Sequence, residues 1–257
     1  MFRRSLVWCA AGTLVLLLSI GVTPANASSI TFTFTGDSDG SVGNQRSFTD
    51  SGVTVYATAW YFKNGQTNFL KAGLGLYSSG LAVCNGDEDG SSYPCGTPEH
   101  AIDNEDENDF VLFLISASVD LTSVYVERID NDTDASYWVG NVAGSANQTD
   151  LLTGKTFANL AALGFGSQQN DAPNGNQNSR TITLNSPLNG YNALLIGGSY
   201  NQSDEDDFFK IKQLTLNYEL TTTPQTPGAV PEPATFVLLG MGLAGLAAAR
   251  RLKTRQN

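Results

Sequence analysis

Apolar and polar residues alternate along the middle of the chain with the two-residue period of a β-strand. Ile30, Phe32 and Phe34 are separated by threonines, and Val53, Val55, Ala57 and Ala59 repeat the pattern up to Trp60. Residues two apart share one face of a strand, so each run predicts a strand with one buried face. Residues 110–115 are apolar without a break, which predicts a central strand covered on both sides. Further strand signals follow at 123–129, after Asp120-Leu121-Thr122, and at 137–139, 181–184, 193–196 and 208–220. Phe157, Leu160, Ala161 and Leu163 predict one short helix over 156–163, ended by Gly164 and Gly166. Residues 167–179, rich in Asn and containing Pro173-Asn174-Gly175, predict a long surface loop. Eight or more strands joined by Gly, Asn, Asp and Ser predict an all-β fold, a sandwich or barrel, with a jelly-roll-like antiparallel β-sandwich preferred.

Both ends depart from this pattern. Residues 6–22 form an apolar run behind Arg3 and Arg4, and Ala25-Asn26-Ala27 follows as a small-x-small site. Together these are the parts of a secretory signal peptide, with Ser28 as the mature N-terminus. An uncleaved N-terminal anchor is the alternative. Cys9 lies inside the apolar run behind Trp8, which argues against lipid attachment. At the other end, Pro231-Glu232-Pro233 precedes 16 uncharged residues, 234–249, and then Arg250, Arg251, Lys253 and Arg255. As a helix this run would be about 24 Å long, short of a bilayer core of roughly 30 Å by an amount that snorkelling Arg and Lys stems can bridge. It predicts a single C-terminal transmembrane helix whose basic end stays in the cytoplasm while the preceding chain lies on the far side. The prolines make the approach stiff and extended. A buried core helix is the other reading, but such a helix normally keeps a polar face and this run has none.

Val230-Pro231-Glu232-Pro233-Ala234, the following Phe236-Val237-Leu238-Leu239-Gly240, the small residues and the Arg250-Arg251 stop resemble the PEP-CTERM sorting tail of bacterial exosortase substrates. The resemblance implies that a membrane protease, the exosortase, recognises the Pro-Glu-Pro motif and removes the helix. The protein would then pass to the cell surface or the exopolysaccharide matrix. The expected organisation is a signal peptide at 1–27, an extracellular β-domain at 28–220, a Pro/Thr-rich spacer at 221–230 and the sorting tail at 231–257.

Charge and cysteine content fit that location. From Ser28 to Val230, eight Lys or Arg stand against 24 Asp or Glu, near −16, more acidic than the −11 of the full chain. Such a balance argues against nucleic acid, and against anionic membrane once the tail is gone, because phosphate binding needs cationic side chains. It favours divalent cations, or simply solubility outside the cell. Cys84 and Cys95 are the pair left after the signal peptide, with ten residues between them. A disulfide closing that loop would contribute about 2.5–3 kcal/mol in the chain-entropy model. Zinc is the weaker reading, since His100 is the one histidine.

Candidate chemistry lies in four acidic clusters, at 87–89, 103–109, 130–134 and 204–207. Several adjoin expected strands, so their carboxylates could converge at one end of the fold on a structural calcium ion, which takes oxygen ligands in flexible geometry. The candidate ligands are Asp103, Asn104, Asp109, Asp130, Asp132 and Asp134. Asp130-x-Asp132-x-Asp134 has the spacing of an EF-hand opening, but Ala135 stands at the sixth place and Asn141 at the twelfth, so this is no EF-hand. Solvated acidic loops are the plainer alternative. Ala72-Gly-Leu-Gly-Leu76, Cys84, Cys95, Glu99-His100-Ala-Ile-Asp103-Asn104, Asp109-Phe-Val-Leu-Phe113 and Asp207-Phe-Phe-Lys-Ile211 resemble the body of one group of exosortase-dependent surface proteins, with a turn at Gly-Leu-Gly. That resemblance implies a β-rich extracellular domain and supplies no catalytic residue.

A hydrolase is the least favoured class: a triad would have to use His100, the one histidine of the chain. Carboxylate pairs for glycoside hydrolysis are numerous, but their separations cannot be read from sequence. Trp60, Tyr61, Tyr77, Tyr93, Tyr137 and Trp138 could stack on sugar rings, which keeps a carbohydrate-binding module, calcium-dependent or not, as the alternative function; core packing is their simpler role. The leading expectation is a non-enzymatic, structural or adhesive protein of the cell surface or biofilm matrix, with the exosortase as processing partner and exopolysaccharide as a candidate contact.

Overall fold

The computed structural model describes residues 27–36, 43–63, 66, 68–85, 95, 100–105, 107–173, 177–185, 190–200, 206–219 and 238–245. The chain divides into two compact units, Met1–Glu219 and Leu220–Asn257. The expected signal peptide up to Asn26, the spacer, Pro231, Glu232, Pro233 and the basic end Arg250, Arg251, Lys253 and Arg255 lie outside the described residues. In the second unit residues 238–245 are helical, within the apolar run expected to cross the membrane. Among the described residues no helix is long and apolar enough to cross one.

The first unit is all-β. Its strands are β1 (Ala27–Thr33), β2 (Gln45–Asp50), β3 (Val53–Lys63), β4 (Leu70–Lys71), β5 (Gly73–Tyr77), β6 (Gly80–Cys84), β7 (Ile102–Asp103), β8 (Glu107–Asn131), β9 (Ala135–Gly140), β10 (Gln169–Asp171), β11 (Arg180–Thr183), β12 (Tyr191–Gly198) and β13 (Asp207–Glu219). They pair antiparallel in two groups that have β8 in common. The first part of β8 lies between β3 and β12, with Val111 opposite both Ala59 and Ile196. Its second part lies between β11 and β13, with Val124 opposite both Ile182 and Leu214. Beyond β12 come β9 and β10, beyond β3 come β2 and β4, and the far edge of β13 carries β7, β6 and β1 in turn. The sequence pattern predicts two strands here, broken at Asp120-Leu121-Thr122. Instead one strand of 25 residues runs through, because Leu121 stays buried while Asp120 and Thr122 are only half-buried and continue the alternation.

Alternation on β8 also explains why residues 110–115 are apolar throughout. Val111, Phe113 and Ile115 join the larger cluster, with Phe32 and Phe34 near the N-terminus, Val55 and Ala57 of β3 and Leu214 and Leu216 of β13. Phe34 stacks on Phe113, ring centroids 5.5 Å apart. Phe110, Leu112 and Leu114 face a second cluster with Trp60, Trp138 and Leu195, roofed by the segment 142–165. That segment holds the expected helix, a single 3-10 turn Phe157–Asn159 continuing into α1 (Leu160–Leu163). Gly164 ends it in the left-handed region at φ 102°, where a Cβ would meet the Asn141 carbonyl oxygen at 2.2 Å. Lys71 fastens the roof to β4 through Asp150 at 2.5 Å, and this bond with the Lys71 charge holds the Asp150 carboxyl below its ordinary range.

Two other expectations change. The Gly-Leu-Gly segment is strand β5 rather than a turn, paired with β6 from Gly73 opposite Cys84 to Tyr77 opposite Gly80. Within the expected surface loop, Gln169–Asp171 adds a strand to the edge of β9. The expected disulfide joins Cys84 and Cys95 across a Cα separation of 5.2 Å, with both residues fully buried. Replacing both cysteines by serine is expected to lower stability by about 2.5–3 kcal/mol, and Phe113→Ala by about 3–5 kcal/mol, both measured by urea unfolding.

Candidate functional site

Strand pairing gathers distant acidic residues at one end of the first unit. β8 reaches Asn131, which takes a left-handed conformation at φ 44°, a region Asn tolerates better than most residues. The alternation breaks there. Asp130 stays exposed, with its carboxylate accepting the Asn131 N–H at 2.8 Å. Asp132 forms a parallel bridge with Asp207 at the start of β13, and its carbonyl accepts the Phe208 N–H at 3.0 Å. β7 lies on the other edge of β13, with Asp103 opposite Phe208, and the end of β12 lies against β9, with Gly198 opposite Ala135.

The result is a buried group of three carboxylates. Asp132, Asp134 and Asp207 each place an oxygen within 4.8 Å of the others. Asp207 is fully buried and Asp134 nearly so, at 0% and 5% exposure. Asp207 Oδ2 accepts hydrogen bonds from Asn104 Nδ2 and the Ser199 N–H, both at 2.7 Å, and the Asp207 N–H donates back to Asn104 Oδ1 at 3.0 Å. Asn104 Nδ2 also donates to the Ser199 carbonyl at 3.2 Å. Asp132 Oδ1 accepts the Thr133 N–H at 2.5 Å and the Gln177 N–H at 3.0 Å. Arg180, at the start of β11, brings one cation: Nη2 lies 4.0 Å from Asp134 Oδ1, while Nη1 pairs with Asp171 and Nε donates to Thr133 Oγ1 at 3.0 Å. The close packing favours glycine at the end of β12, since a Cβ at Gly198 would sit 3.1 Å from Asn104 Cβ.

Three carboxylates buried together repel one another, and the arrangement can relieve this by sharing a proton or by taking up a cation. Two oxygens up to about 4.8 Å apart can both reach one ion at about 2.4 Å, a calcium–oxygen distance. The group contains oxygen donors without sulfur or imidazole, which suits calcium over zinc.

The structure brings together part of the residue set expected from sequence. Asp132 and Asp134 belong to the group, Asn104 orients it and Asp103 neighbours it through β7. Asp130 does not belong, for the backbone reason given above. Asp109 is fully buried elsewhere, accepting the Asn85 Nδ2 at 3.3 Å. Asp207 and Ser199 were not among the expected ligands; the sequence signal for Asp207 is its place at the start of a long apolar strand. Of the aromatics considered as a sugar platform, Trp60, Tyr77, Tyr137 and Trp138 are buried, Tyr61 packs partly against the larger cluster and Tyr93 lies outside the described residues. Ala27 opens β1 opposite Glu219, so cleavage before Ser28 would trim one residue from that strand.

Residues 229–251 match the family model for the PEP-CTERM protein-sorting motif, and the chain therefore carries a signal for export and exosortase-dependent sorting to the cell surface. No curated protein and no solved structure matches the chain. The resemblance drawn for the body is accordingly without support.

Removing the Asn104 side chain takes a donor from a fully buried carboxylate. Asn104→Ala is expected to lower stability by about 2–3 kcal/mol in urea unfolding, well beyond the effect of an exposed Asn.

Proposed function

We propose that the chain is a non-enzymatic protein of the cell surface or exopolysaccharide matrix, exported by its signal peptide, processed in its tail by an exosortase, and structural or adhesive in role. The observation that carries this reading is the sorting motif at 229–251 behind an acidic, disulfide-bonded all-β body. In this reading residues 28–220 form an antiparallel sandwich of jelly-roll kind, the two strand groups facing one another across the larger cluster, and residues 234–249 are a transient membrane helix. Burial of His100, at 8% exposure, supports a structural over a catalytic role for the one histidine. In a strain lacking the exosortase, the protein should keep its tail and stay with the membrane fraction. Equal mass and equal location in the parent and deletion strains would remove the sorting claim.

The second element is a structural calcium ion at the acid-lined end, favoured by the three buried carboxylates and by Ser199, whose N–H is bonded to Asp207 and whose buried hydroxyl has no hydrogen-bond partner among the described residues. Binding to the native state alone raises stability by mass action. At a hundredfold excess over Kd the gain is about 2.7 kcal/mol, or roughly 5–10 °C in Tm for a domain of this size. That rise, relative to chelator, is expected in the wild type and absent in Asp207→Asn; equal melting in calcium and chelator would count against the ion.

A further inference from the structure

A second site lies where β8 passes from one strand group to the other. Leu114 pairs with Ala193 and Val119 with Tyr191, so four residues of β8, 115–118, stand opposite Asn192 alone. The strand bulges. On its other edge the pairing with β3 ends at Ile115, and the Thr54 N–H donates at 2.9 Å to the Ser116 hydroxyl instead of a backbone carbonyl. Bulges of this kind re-aim side chains and are common beside functional sites. Here the bulge forms one wall of an open groove of about 550 Å³, with Tyr56 and the loop 144–147 also lining it. The volume falls within the roughly 300–1,000 Å³ of small-ligand sites.

The groove has a distinct chemistry. All its lining residues are uncharged, in a body that carries a large net negative charge. Its polar groups are the hydroxyls of Tyr56, Ser116, Ser118 and Ser145 and the amides of Asn147 and Asn192. Asn192 is committed to holding the loop, accepting the Val142 N–H at 2.7 Å and donating to the Val142 carbonyl at 2.8 Å. Ser145 Oγ donates to Asn147 Oδ1 at 2.6 Å, which fixes that amide with its NH2 group available to a ligand. Tyr56, opposite Leu114 on β3, is half-buried, which gives it a ring with one polar end at the groove. An aromatic ring beside hydroxyl and amide donors, without charge, matches a neutral sugar: C–H faces rest on the ring and hydroxyls exchange water for Ser and Asn.

We propose that this groove binds a neutral oligosaccharide segment, with Tyr56 as the stacking surface and Asn147 and Ser118 as hydrogen-bonding groups. The choice of ligand rests on the surface-and-matrix reading, but the site stands apart from the sorting tail and from the acid-lined end. Its failure would leave export and processing untouched.

The test is calorimetric titration of the full chain with cellotetraose, mannotetraose and galactotetraose as neutral probes and tetragalacturonate as the anionic one. Saturable binding of at least one neutral probe is expected, weakened tenfold or more by Tyr56→Ala and by Asn147→Ala, and retained in Tyr56→Phe. Asn147 lies on an exposed loop, so its variant reads the site even if Tyr56→Ala unfolds. Absence of neutral-probe binding, binding unchanged in Asn147→Ala, or preference for tetragalacturonate would overturn the proposal.

Discussion

The structure depends on one strand, β8, that is paired on both edges at 110–114 and again at 123–126. β8 is paired by β3 and β12 in its first part and by β13 and β11 in its second, so every other strand is held to it directly or through one of these neighbours. A strand in this position cannot be polar on one face over its first part, which is why residues 110–115 carry Phe, Val, Leu and Ile without a break. It also sets two local consequences. The crossing between groups leaves a bulge at 115–118 that opens a groove, and the end of the strand delivers Asp132 and Asp134 to the start of β13.

These two places differ in physical character. At the acid-lined end, charge is concentrated and buried, with Asn104, Ser199 and Arg180 arranged around three carboxylates. At the bulge, charge is absent and the polar groups are hydroxyls and amides open to water. A structural ion at the first and a neutral glycan at the second would be independent events, joined only through the rigidity of β8. Both belong to the outside of the cell, the destination that the sorting motif specifies.

Much of the body could be read from sequence where the cause is local. Alternation in 30–34 and 53–60 marked β1 and β3, the Leu160 face marked the short helix, and ten intervening residues marked the disulfide. β5 and β6 escaped because Gly73, Gly75 and Gly80 weaken any strand signal, and they form a hairpin whose β6 joins the sheet through Leu81 opposite Ile211. The continuity of β8 was hidden by Asp120 and Thr122, polar residues that a half-buried strand face accommodates. The acid-lined end was legible only as separate clusters. Asn104 lies 103 residues from Asp207, and no local pattern records that the pairing of β7 with β13 brings them within hydrogen-bonding distance. The left-handed turn at Asn131, which removes Asp130 from the group, is likewise a backbone event that spacing does not reveal.

The central claim is that β8 makes the body one cooperative unit, and native-state hydrogen exchange along that strand tests it most directly. Backbone amides at 111–114 and at 124–126 lie on opposite sides of the bulge, in different strand groups. The account predicts that both sets exchange only through global unfolding, with the same opening free energy and the same denaturant dependence. Exchange of one set through a separate and much easier opening, while the other stays protected, would contradict it.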